Sequence, residues 1–398
     1  MAISTIISTG SYFAISMLCG LVGLNVRQKY RPALNAGLVL TSGLAFRNIS
    51  DANLGFSGTD TIAMFVLFYI SHMTCALSLE KYVLPKKPHR SFQWREAYKM
   101  LFNARFIGTY REAPDVQKYT QAEIDSELPH ELCEVSSAYP RTGLKAFLRS
   151  PRCRFLRSRL FLLLTIYAVD QFYNYLLETV LPQYVDPIEA YDMLPSKQTY
   201  FRRLYTVTLR ETIIRAWLVV HWTWNSYKLY TSLHHILAII FVGIGLDSSS
   251  DWPSLYGNIS EATSIRAFWG KFWHRLVYRS YTSYGKFISL VVLRLPRNSI
   301  IGKLFINGFV FVLSGVVHAV MIRQMGFSCG AMAEVRFYAS HYVAILAETA
   351  VQALFAKLTR GYRLNGVVSK TVGYIWVFGF LFYSLPKAQY GKVFCMPE

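Results

Sequence analysis

Residues 304–322 read LFINGFVFVLSGVVHAVMI, and this stretch decides the class of fold. It is close to the length of about 20 predominantly apolar residues that a helix needs to cross a lipid bilayer. Its strongly polar residues are Asn307, Ser314 and His318. A helix turns by about 100° per residue, so these three side chains fall within about 40° of arc. The stretch is therefore predicted to be a membrane helix with one polar stripe.

The polar stripe has two interpretations. Ionisable side chains inside a membrane are costly and usually face a water-filled cavity. His318 would then line an internal chamber with Asn307 and Ser314, and Gly315 would leave room for a substrate beside it. Alternatively, the stripe bonds to a neighbouring helix, and Gly308 and Gly315 permit close approach. We favour the chamber, because ionisable residues within membrane helices are usually functional.

The next apolar segment repeats the spacing with His341, Glu348 and Gln352. The two helices could face each other across one chamber, which His341 and Glu348 would then help to line. They could equally form a hydrogen-bonded structural seam, which is the favoured interpretation for His341. On an earlier span, Asp170 either supports the chamber or is a paired structural carboxylate.

The whole composition agrees with a membrane protein. Of the 398 residues, 53% are hydrophobic and 16% are charged, whereas soluble domains carry about a quarter charged residues. The net charge is +19, but the basic residues lie between apolar runs. A nucleic-acid-binding protein would need a continuous basic surface, so no nucleic-acid partner is expected. We predict an all-α, polytopic transmembrane protein with about eight to ten spans. The candidate spans are 3–26, 33–46 (a span or a re-entrant piece), 61–79, 159–181, two elements within 213–246, 304–322, 338–358 and 372–385.

The longest polar stretch divides the chain into three parts. These are the N-terminal spans (1–79), a basic loop (80–158) and a membrane catalytic core (159–398). The loop holds 15 Lys and Arg against 9 Asp and Glu, which places it in the cytoplasm by the positive-inside rule. Within it, residues 92–106 mix aromatic and basic side chains at helical spacing, which is typical of a helix in the membrane interface.

Short motifs of other enzyme classes are missing from the sequence. It has no HExxH, no GxSxG, no Walker loop and no dinucleotide fingerprint. The six cysteines are scattered without any CxxC pair. We therefore predict no metal site and no disulfide framework.

Residues 264–279 read SIRAFWGKFWHRLVYR and predict an amphipathic helix with Ser264 as its N-cap. Such a helix is either an interfacial anchor with a cationic face, or it attracts a phosphate-bearing cofactor. His274 points away from the apolar stripe and would lie at a channel mouth or in water. The candidate cofactor-binding residues of this segment are Ser264, Arg266, Trp269, Lys271, Trp273 and Arg275.

Four segments in this order resemble the wax-synthase-like branch of the membrane-bound O-acyltransferases. They are NARFIGT (103–109), WPSLYG (252–257), SIRAFWGKFWHRL (264–276) and FVLSGVVH (311–318). More narrowly, the chain resembles fungal enzymes that acetylate terpenoid or mycotoxin alcohols. Phe106 stands where a glycine is frequent in this branch.

The resemblance implies an enzyme of the endoplasmic reticulum membrane that moves an acyl group from CoA to the hydroxyl of a lipophilic alcohol. The narrower resemblance to the fungal acetylating enzymes implies that the acyl donor is acetyl-CoA, which is a co-substrate. No tightly bound cofactor is implied. The family's essential histidine corresponds to His318, which would be the general base. His274 replaces an asparagine common in the superfamily and would orient the acyl carbonyl or help to bind the cofactor. Asn103 and Arg105 join the candidate cofactor-binding residues. The alternatives are a long-chain-alcohol wax synthase of the same family and a proton-coupled secondary transporter.

Overall fold

The computed structural model describes residues 2–52, 55–85, 92–113, 150–327, 329–360 and 365–395. In these ranges the regular structure is helical and no strand occurs, which confirms the predicted all-α class. Of the predicted cytoplasmic loop (80–158), residues 86–91 and 114–149 lie outside the described residues.

The described part of the chain contains eleven α-helices, named α1 to α11 in chain order. They are α1 Ala2–Asn25, α2 Arg31–Asn48, α3 Gly55–Thr74, α4 Trp94–Leu101, α5 Pro151–Tyr175, α6 Leu209–Gly243, α7 Ile265–Ala267, α8 Tyr278–Phe287, α9 Ile300–Gln324, α10 Ala331–Leu358 and α11 Gly366–Val393. Four of them continue directly into a wider π-helical turn, namely α3 into Cys75–Leu79, α5 into Leu176–Val180, α7 into Phe268–Phe272 and α8 into Ile288–Val292. Short 3₁₀ helices lie at Gln28–Tyr30, Ser50–Ala52, Leu181–Gln183, Ala190–Met193, Pro195–Gln198, Tyr200–Thr206, Ser249–Asp251 and Ile259–Glu261.

The long helices are those of a multi-pass membrane protein. Five described stretches are long and apolar enough to cross a bilayer, and they are Ser4–Asn25, Gly58–Leu79, Pro151–Gln183, Ile300–Gln324 and Gly366–Val393. The other long helices, α2, α6 and α10, carry more polar residues along their 18, 35 and 28 residues. The multi-pass architecture predicted from the sequence is confirmed.

Two predicted elements differ from the structure. The region 213–246 was expected to hold two elements, but α6 is one helix of 35 residues. At 1.5 Å per residue it is about 50 Å long, which exceeds the thickness of about 30 Å of a typical hydrocarbon core. The interfacial helix expected over 92–106 is shorter, because only the eight residues of α4 are helical. Lys99 of α4 forms an ion pair with Asp251, so the helix is fastened to the loop that follows α6.

Helices α9, α10 and α11 follow one another through short connections and pack as neighbours. The start of α10 and the end of α11 therefore lie close together, and Cys329, two residues before α10, forms a disulfide with Cys395, two residues after α11. The scattered cysteines had indicated no disulfide framework, and this cross-link corrects that prediction. The partners lie 66 positions apart, so no local spacing rule could reveal them.

Candidate active site

A cavity of 1220 Å³ lies between α3, α6, α7, α9, α10 and the end of α11. Pockets for single small ligands usually measure about 300–1000 Å³, so this cavity has room for two reactants. Both candidate catalytic histidines, His274 and His318, line it. Its apolar wall includes Phe68, Leu304 and Phe311. An apolar cavity with a few polar groups is the usual form of a binding site.

The polar stripe of α9 faces this cavity, because Asn307, Ser314 and His318 all line it. The favoured interpretation expected Gly315 to leave room for a substrate, and the structure corrects this. A Cβ atom on Gly315 would lie 2.7 Å from the Cα of Val335, so this glycine lets the backbones of α9 and α10 meet. Gly308 makes room for a side chain of α10, since its Cβ would lie 2.9 Å from the ring of Tyr342. The face of α9 that carries the polar stripe therefore lines the cavity, whereas the face that carries the glycines packs against α10.

His318 is held by a tyrosine that the sequence analysis did not single out. The hydroxyl of Tyr338 lies 2.7 Å from Nε2 of His318. The two rings stack with centroids 4.9 Å apart and planes 20° apart. Tyr338 is buried, with 8% of its surface exposed. A signal was present, because Glu334 and Tyr338 extend the stripe of His341 by two helical turns towards the N-terminus of α10.

A charged group lies beside this pair. Glu334 forms an ion pair with Lys392 of α11, with 2.5 Å between Oε1 and Nζ. Both residues line the cavity, as does Asp60 of α3. Glu334 is buried, with 4% of its surface exposed. The histidine end of the cavity therefore contains fixed charges of both signs.

The second stripe does not line the cavity, which corrects the expectation for His341 and Glu348. His341 is fully buried and donates from Nδ1 to the Phe337 carbonyl at 2.8 Å. Its ring lies edge-on to Trp269, 5.3 Å between centroids. Glu348 accepts hydrogen bonds from the backbone N–H of Ile265 at 2.8 Å and from the indole N–H of Trp376 at 2.9 Å. Glu348 thus forms a hydrogen-bonded seam with α7 and α11, whereas the hydrogen bond of His341 stays within α10 and its ring packs against the aromatic rings of Trp269 and Phe380.

The motif segment 264–279 is not one helix, although its pattern predicted one. Ser264 caps α7 as expected, and its hydroxyl accepts a hydrogen bond from the backbone N–H of Ala267 at 2.9 Å. The π turn ends at Phe272, and Trp273 has an extended backbone with ψ of 150°. The Trp273 ring stacks on Trp222 of α6, 4.8 Å between centroids and only 5° between planes. Packing against another helix therefore overrides the local helical pattern.

Two glycines clamp this segment from both sides. A Cβ on Gly257 would lie 2.0 Å from the carbonyl oxygen of Lys271. A Cβ on Gly373 would lie 2.1 Å from the carbonyl oxygen of Thr263. Only glycine fits at such distances, because no side chain can share the space of a carbonyl oxygen. The motif segment is thus pressed between the WPSLYG loop and α11.

The cationic residues of the motif border the cavity with the histidines. Arg266 is exposed, Lys271 forms an ion pair with Glu261 at 2.8 Å, and the guanidinium of Arg275 lies 4.2 Å from the ring centre of Tyr278. The Lys271–Glu261 pair is exposed, and such pairs are worth about 0–1 kcal/mol, so a ligand could displace it at little cost. The cavity-lining members of the candidate cofactor-binding set are Ser264, Arg266, Trp269, Lys271, Trp273 and Arg275.

His274 lies in the cavity wall and not in bulk water. Its ring is edge-on to Tyr230 and Tyr256, with centroids at 5.1 Å and 5.7 Å. Nδ1 is buried and bonds to no atom of the described residues. An imidazole in this setting can offer a hydrogen bond to a ligand in the cavity.

Asn103 and Arg105 are placed away from the cavity, which corrects their expected cofactor-binding role. The guanidinium of Arg105 donates to the carbonyls of Pro253 at 2.9 Å and Ser254 at 2.6 Å. The amide of Asn103 bonds with the backbone of Ile107. Burial lowers the pKa of Arg105 to about 10, so this guanidinium is still charged at neutral pH. Both side chains brace the NARFIGT loop against the WPSLYG loop.

The backbone at Phe106 explains why a glycine is frequent at this position in the branch. Phe106 adopts a left-handed conformation with φ of +55°, a region that glycine enters without steric cost.

Asp170 is held by two neighbours on α6. It accepts hydrogen bonds from Lys228 at 2.7 Å and from the Trp224 indole at 3.0 Å. Asp170 does not line the cavity, and the interpretation as a paired structural carboxylate is confirmed.

Comparison with known proteins points to a class that fits this site. Residues 252–340 match the model of the membrane bound O-acyl transferase family. The matched region contains the WPSLYG loop, the motif segment, His274, His318 and Tyr338. The resemblance predicted from the sequence is confirmed.

Individual relatives have more specific names. The chain is 36% identical over 173 residues to acetyltransferase atnC of Arthrinium sp, a match covering 43% of this chain and 40% of that protein. It is 33% identical over 152 residues to acetyltransferase spyB of Aspergillus fumigatus, covering 35% and 26%. It is 29% identical over 288 residues to acetyltransferase nanB of Aspergillus nanangensis, covering 70% and 63%. The matches thus span less than two thirds of each relative's length. No solved structure matches the chain.

Proposed function

We propose that this protein is a membrane O-acyltransferase of the endoplasmic reticulum. It moves an acetyl group from acetyl-CoA to the hydroxyl of a lipophilic alcohol of the terpenoid type. The observation that carries the proposal is that His318, His274 and the cationic motif residues Arg266 and Lys271 border one cavity. The names of the similar fungal acetyltransferases support the acetyl group.

His318 is the general base in this proposal. Neutral imidazole takes the proton of the acceptor hydroxyl while the oxygen attacks the thioester carbonyl carbon. The C–S bond then breaks, and the CoA sulfur receives the proton from the imidazolium. General-base help of this kind is typically worth about 10²–10⁴-fold in rate. No acyl-enzyme intermediate is required, because the thioester is already activated.

His274 acts on the acyl carbonyl. It lines the same cavity as His318. An imidazole N–H that donates to the carbonyl oxygen stabilises the negative charge that develops there in the transition state. The aromatic rings of Tyr230 and Tyr256 hold the imidazole in place, so it needs little reorganisation during the reaction.

The cationic side of the motif segment binds CoA. Arg266, Lys271 and Arg275 supply three positive charges beside the cavity, and guanidinium and ammonium groups form strong charge-assisted bonds with phosphate. The cavity then accommodates the acyl group and the acceptor. Its apolar wall suits a lipophilic alcohol and limits hydrolysis of the thioester by water.

The experiment is an assay of membranes that contain the full chain, supplied with radiolabelled acetyl-CoA and a panel of hydroxylated sterols and terpenoids. A labelled ester, identified by mass spectrometry, is the expected result. Parallel reactions with long-chain acyl-CoA and fatty alcohols test the wax synthase alternative, which predicts product there instead. A transporter predicts uptake of a compound into sealed vesicles without any ester, and that result would overturn the proposal.

A further inference from the structure

We propose that Tyr338 is a positioning residue that decides which nitrogen of His318 is the base. Nε2 keeps its hydrogen and donates it to the phenolic oxygen, while Nδ1 presents its lone pair to the cavity. This inference rests on the proposed function, which assigns the base to His318 without choosing a nitrogen.

The contact between the two side chains is rigid. Nε2 and the phenolic oxygen are 2.7 Å apart, and the rings stack at 4.9 Å. Tyr338 also packs against Trp269 and Phe337, with ring centroids at 5.7 Å and 5.2 Å. The helices that carry the pair touch at Gly315, so their backbones cannot slide apart without losing that contact. A hydrogen bond in such a frame fixes the orientation of the imidazole ring.

The hydrogen bond between His318 and Tyr338 can run in two directions, with either Nε2 or the hydroxyl as the donor. The single hydrogen of a neutral imidazole decides between them. Neutral imidazole has one N–H and one lone pair. If the tyrosine donated to Nε2, the hydrogen of His318 would be on Nδ1, and neither nitrogen could accept another proton. If Nε2 donates to the tyrosine, the lone pair on Nδ1 is available. No described group bonds to Nδ1, and His318 lines the cavity. Only the second direction leaves a base that faces a substrate.

The same bond becomes stronger when the base acts. After Nδ1 accepts a proton, the ring is an imidazolium, and its Nε2–H bond to Tyr338 is charge-assisted. The bond therefore stabilises the transition state more than the ground state, which is the condition for an effect on kcat. The other charged or titratable groups around His318 are Glu334 of α10, Lys392 of α11, Asp60 of α3 and His274.

Tyr342 provides a matched control on the same helix. It also lines the cavity, but its hydroxyl donates to the carbonyl of Leu304 at 2.7 Å and not to a histidine. Removing the hydroxyl from Tyr338 or from Tyr342 deletes one oxygen atom from the same cavity wall. Only the first deletion touches His318.

The test alkylates purified full-length protein in detergent with bromoacetamide. The nitrogen that bears the new group is then identified, after digestion and hydrolysis, by comparison with the two carboxymethylhistidine isomers. In the wild type we expect His318 to be alkylated at Nδ1. Tyr338→Phe should add the Nε2 isomer, whereas Tyr342→Phe should leave the product unchanged. An unreactive His318 that becomes reactive in Tyr338→Phe would show that the tyrosine is the donor and would overturn the inference. So would a wild-type product alkylated at Nε2.

Acyl transfer supplies an independent readout. Tyr338→Phe should lower kcat by about 10- to 100-fold, the size expected for loss of a hydrogen bond to a charged group, and leave the KM for acetyl-CoA nearly unchanged. An unchanged kcat would also overturn the inference. Alkylation at Nδ1 in a protein that never transfers acetyl would leave the positioning role standing and refute the proposed function. If Tyr338→Phe does not fold, the isomer formed in the wild type still decides the question.

Discussion

Glu348 accepts a hydrogen bond from the backbone N–H of Ile265 at 2.8 Å, although the two residues are 83 positions apart in the sequence. Ile265 is the first residue of α7, where backbone N–H groups have no partner within the helix. The same carboxylate accepts the indole N–H of Trp376 at 2.9 Å. One buried side chain thus joins the motif segment, α10 and α11.

Replacing Glu348 should destabilise the protein, and the loss should be larger when the substitute offers no oxygen to the N–H groups of Ile265 and Trp376. Glu348→Ala removes the acceptor of both N–H groups, and the buried N–H of Ile265 that is left unsatisfied costs about 1–3 kcal/mol. Glu348→Gln keeps one carbonyl oxygen at the same place and should fall between Ala and the wild type. The measurement is the midpoint of thermal unfolding in detergent. Equal midpoints for wild type and Glu348→Ala would contradict this role.

The clamp at Gly373 makes a second prediction. Gly373→Ala would place Cβ 2.1 Å from the carbonyl oxygen of Thr263, so α11 and the motif segment must separate. We expect a lower unfolding midpoint and weaker acetyl transfer. Gly379→Ala on the same helix is the control, because nothing lies within 4 Å of its Cβ position. Alanine there should hold or raise the midpoint, since glycine costs about 1 kcal/mol in a helix interior. If Gly373→Ala and Gly379→Ala had the same unfolding midpoint and the same acetyl transfer, the close contact at Gly373 would have no structural role.

The features that the sequence predicted well depend on local periodicity. The stripe of Asn307, Ser314 and His318 follows from 100° per residue within one helix, and all three side chains line the cavity. The Ser264 cap is local as well, and its hydroxyl bonds the third residue along the chain. Such features need no knowledge of the neighbouring helices.

The features that the sequence missed arise between distant segments. The helical part of the motif segment ends at Phe272, and the ring of the next residue, Trp273, stacks on Trp222 of another helix. Arg105 was expected to help bind the cofactor, but its guanidinium donates to the carbonyls of Pro253 and Ser254. The charge of a side chain is visible in a sequence, whereas the partner it meets depends on the packing of the whole chain.

Phe106 offers a test of backbone strain against packing. Its ring is fully buried against His72 and Tyr82, with ring centroids at 5.2 Å and 5.9 Å, while φ is +55°. Loss of a buried phenylalanine ring costs about 3–5 kcal/mol, whereas a left-handed backbone costs about 1–2 kcal/mol. Phe106→Gly should therefore destabilise the protein despite relieving the backbone.

The comparison of two small residues at this position isolates the backbone effect. Phe106→Ala loses the same ring and keeps a Cβ in the left-handed region. We expect Phe106→Gly to unfold at the same temperature as Phe106→Ala or above it, the reverse of the usual order. A clearly lower midpoint for the glycine variant would show that the backbone carries no strain at this position.

Charge at the motif segment should control the affinity for the acyl donor. Lys271→Glu and Arg275→Glu each exchange a cavity-lining positive charge for a negative one, so the KM for acetyl-CoA should rise several-fold, with a smaller effect on kcat. The effect should shrink at high salt because exposed charges are screened. Lys303→Glu is the control, since Lys303 is exposed at the start of α9 and does not line the cavity. Equal KM values in all variants would leave only an anchoring role for these charges.

The most direct test of the account is the turnover of His318→Ala, measured as labelled ester formed from acetyl-CoA and an accepted alcohol. His341→Gln is assayed beside it as a buried histidine variant outside the cavity, and size-exclusion elution reports the fold of both. We expect His318→Ala to lose at least about 100-fold in turnover while it elutes like the wild type, and His341→Gln to retain transfer. A folded His318→Ala protein that forms ester at the wild-type rate would contradict the assignment of the base.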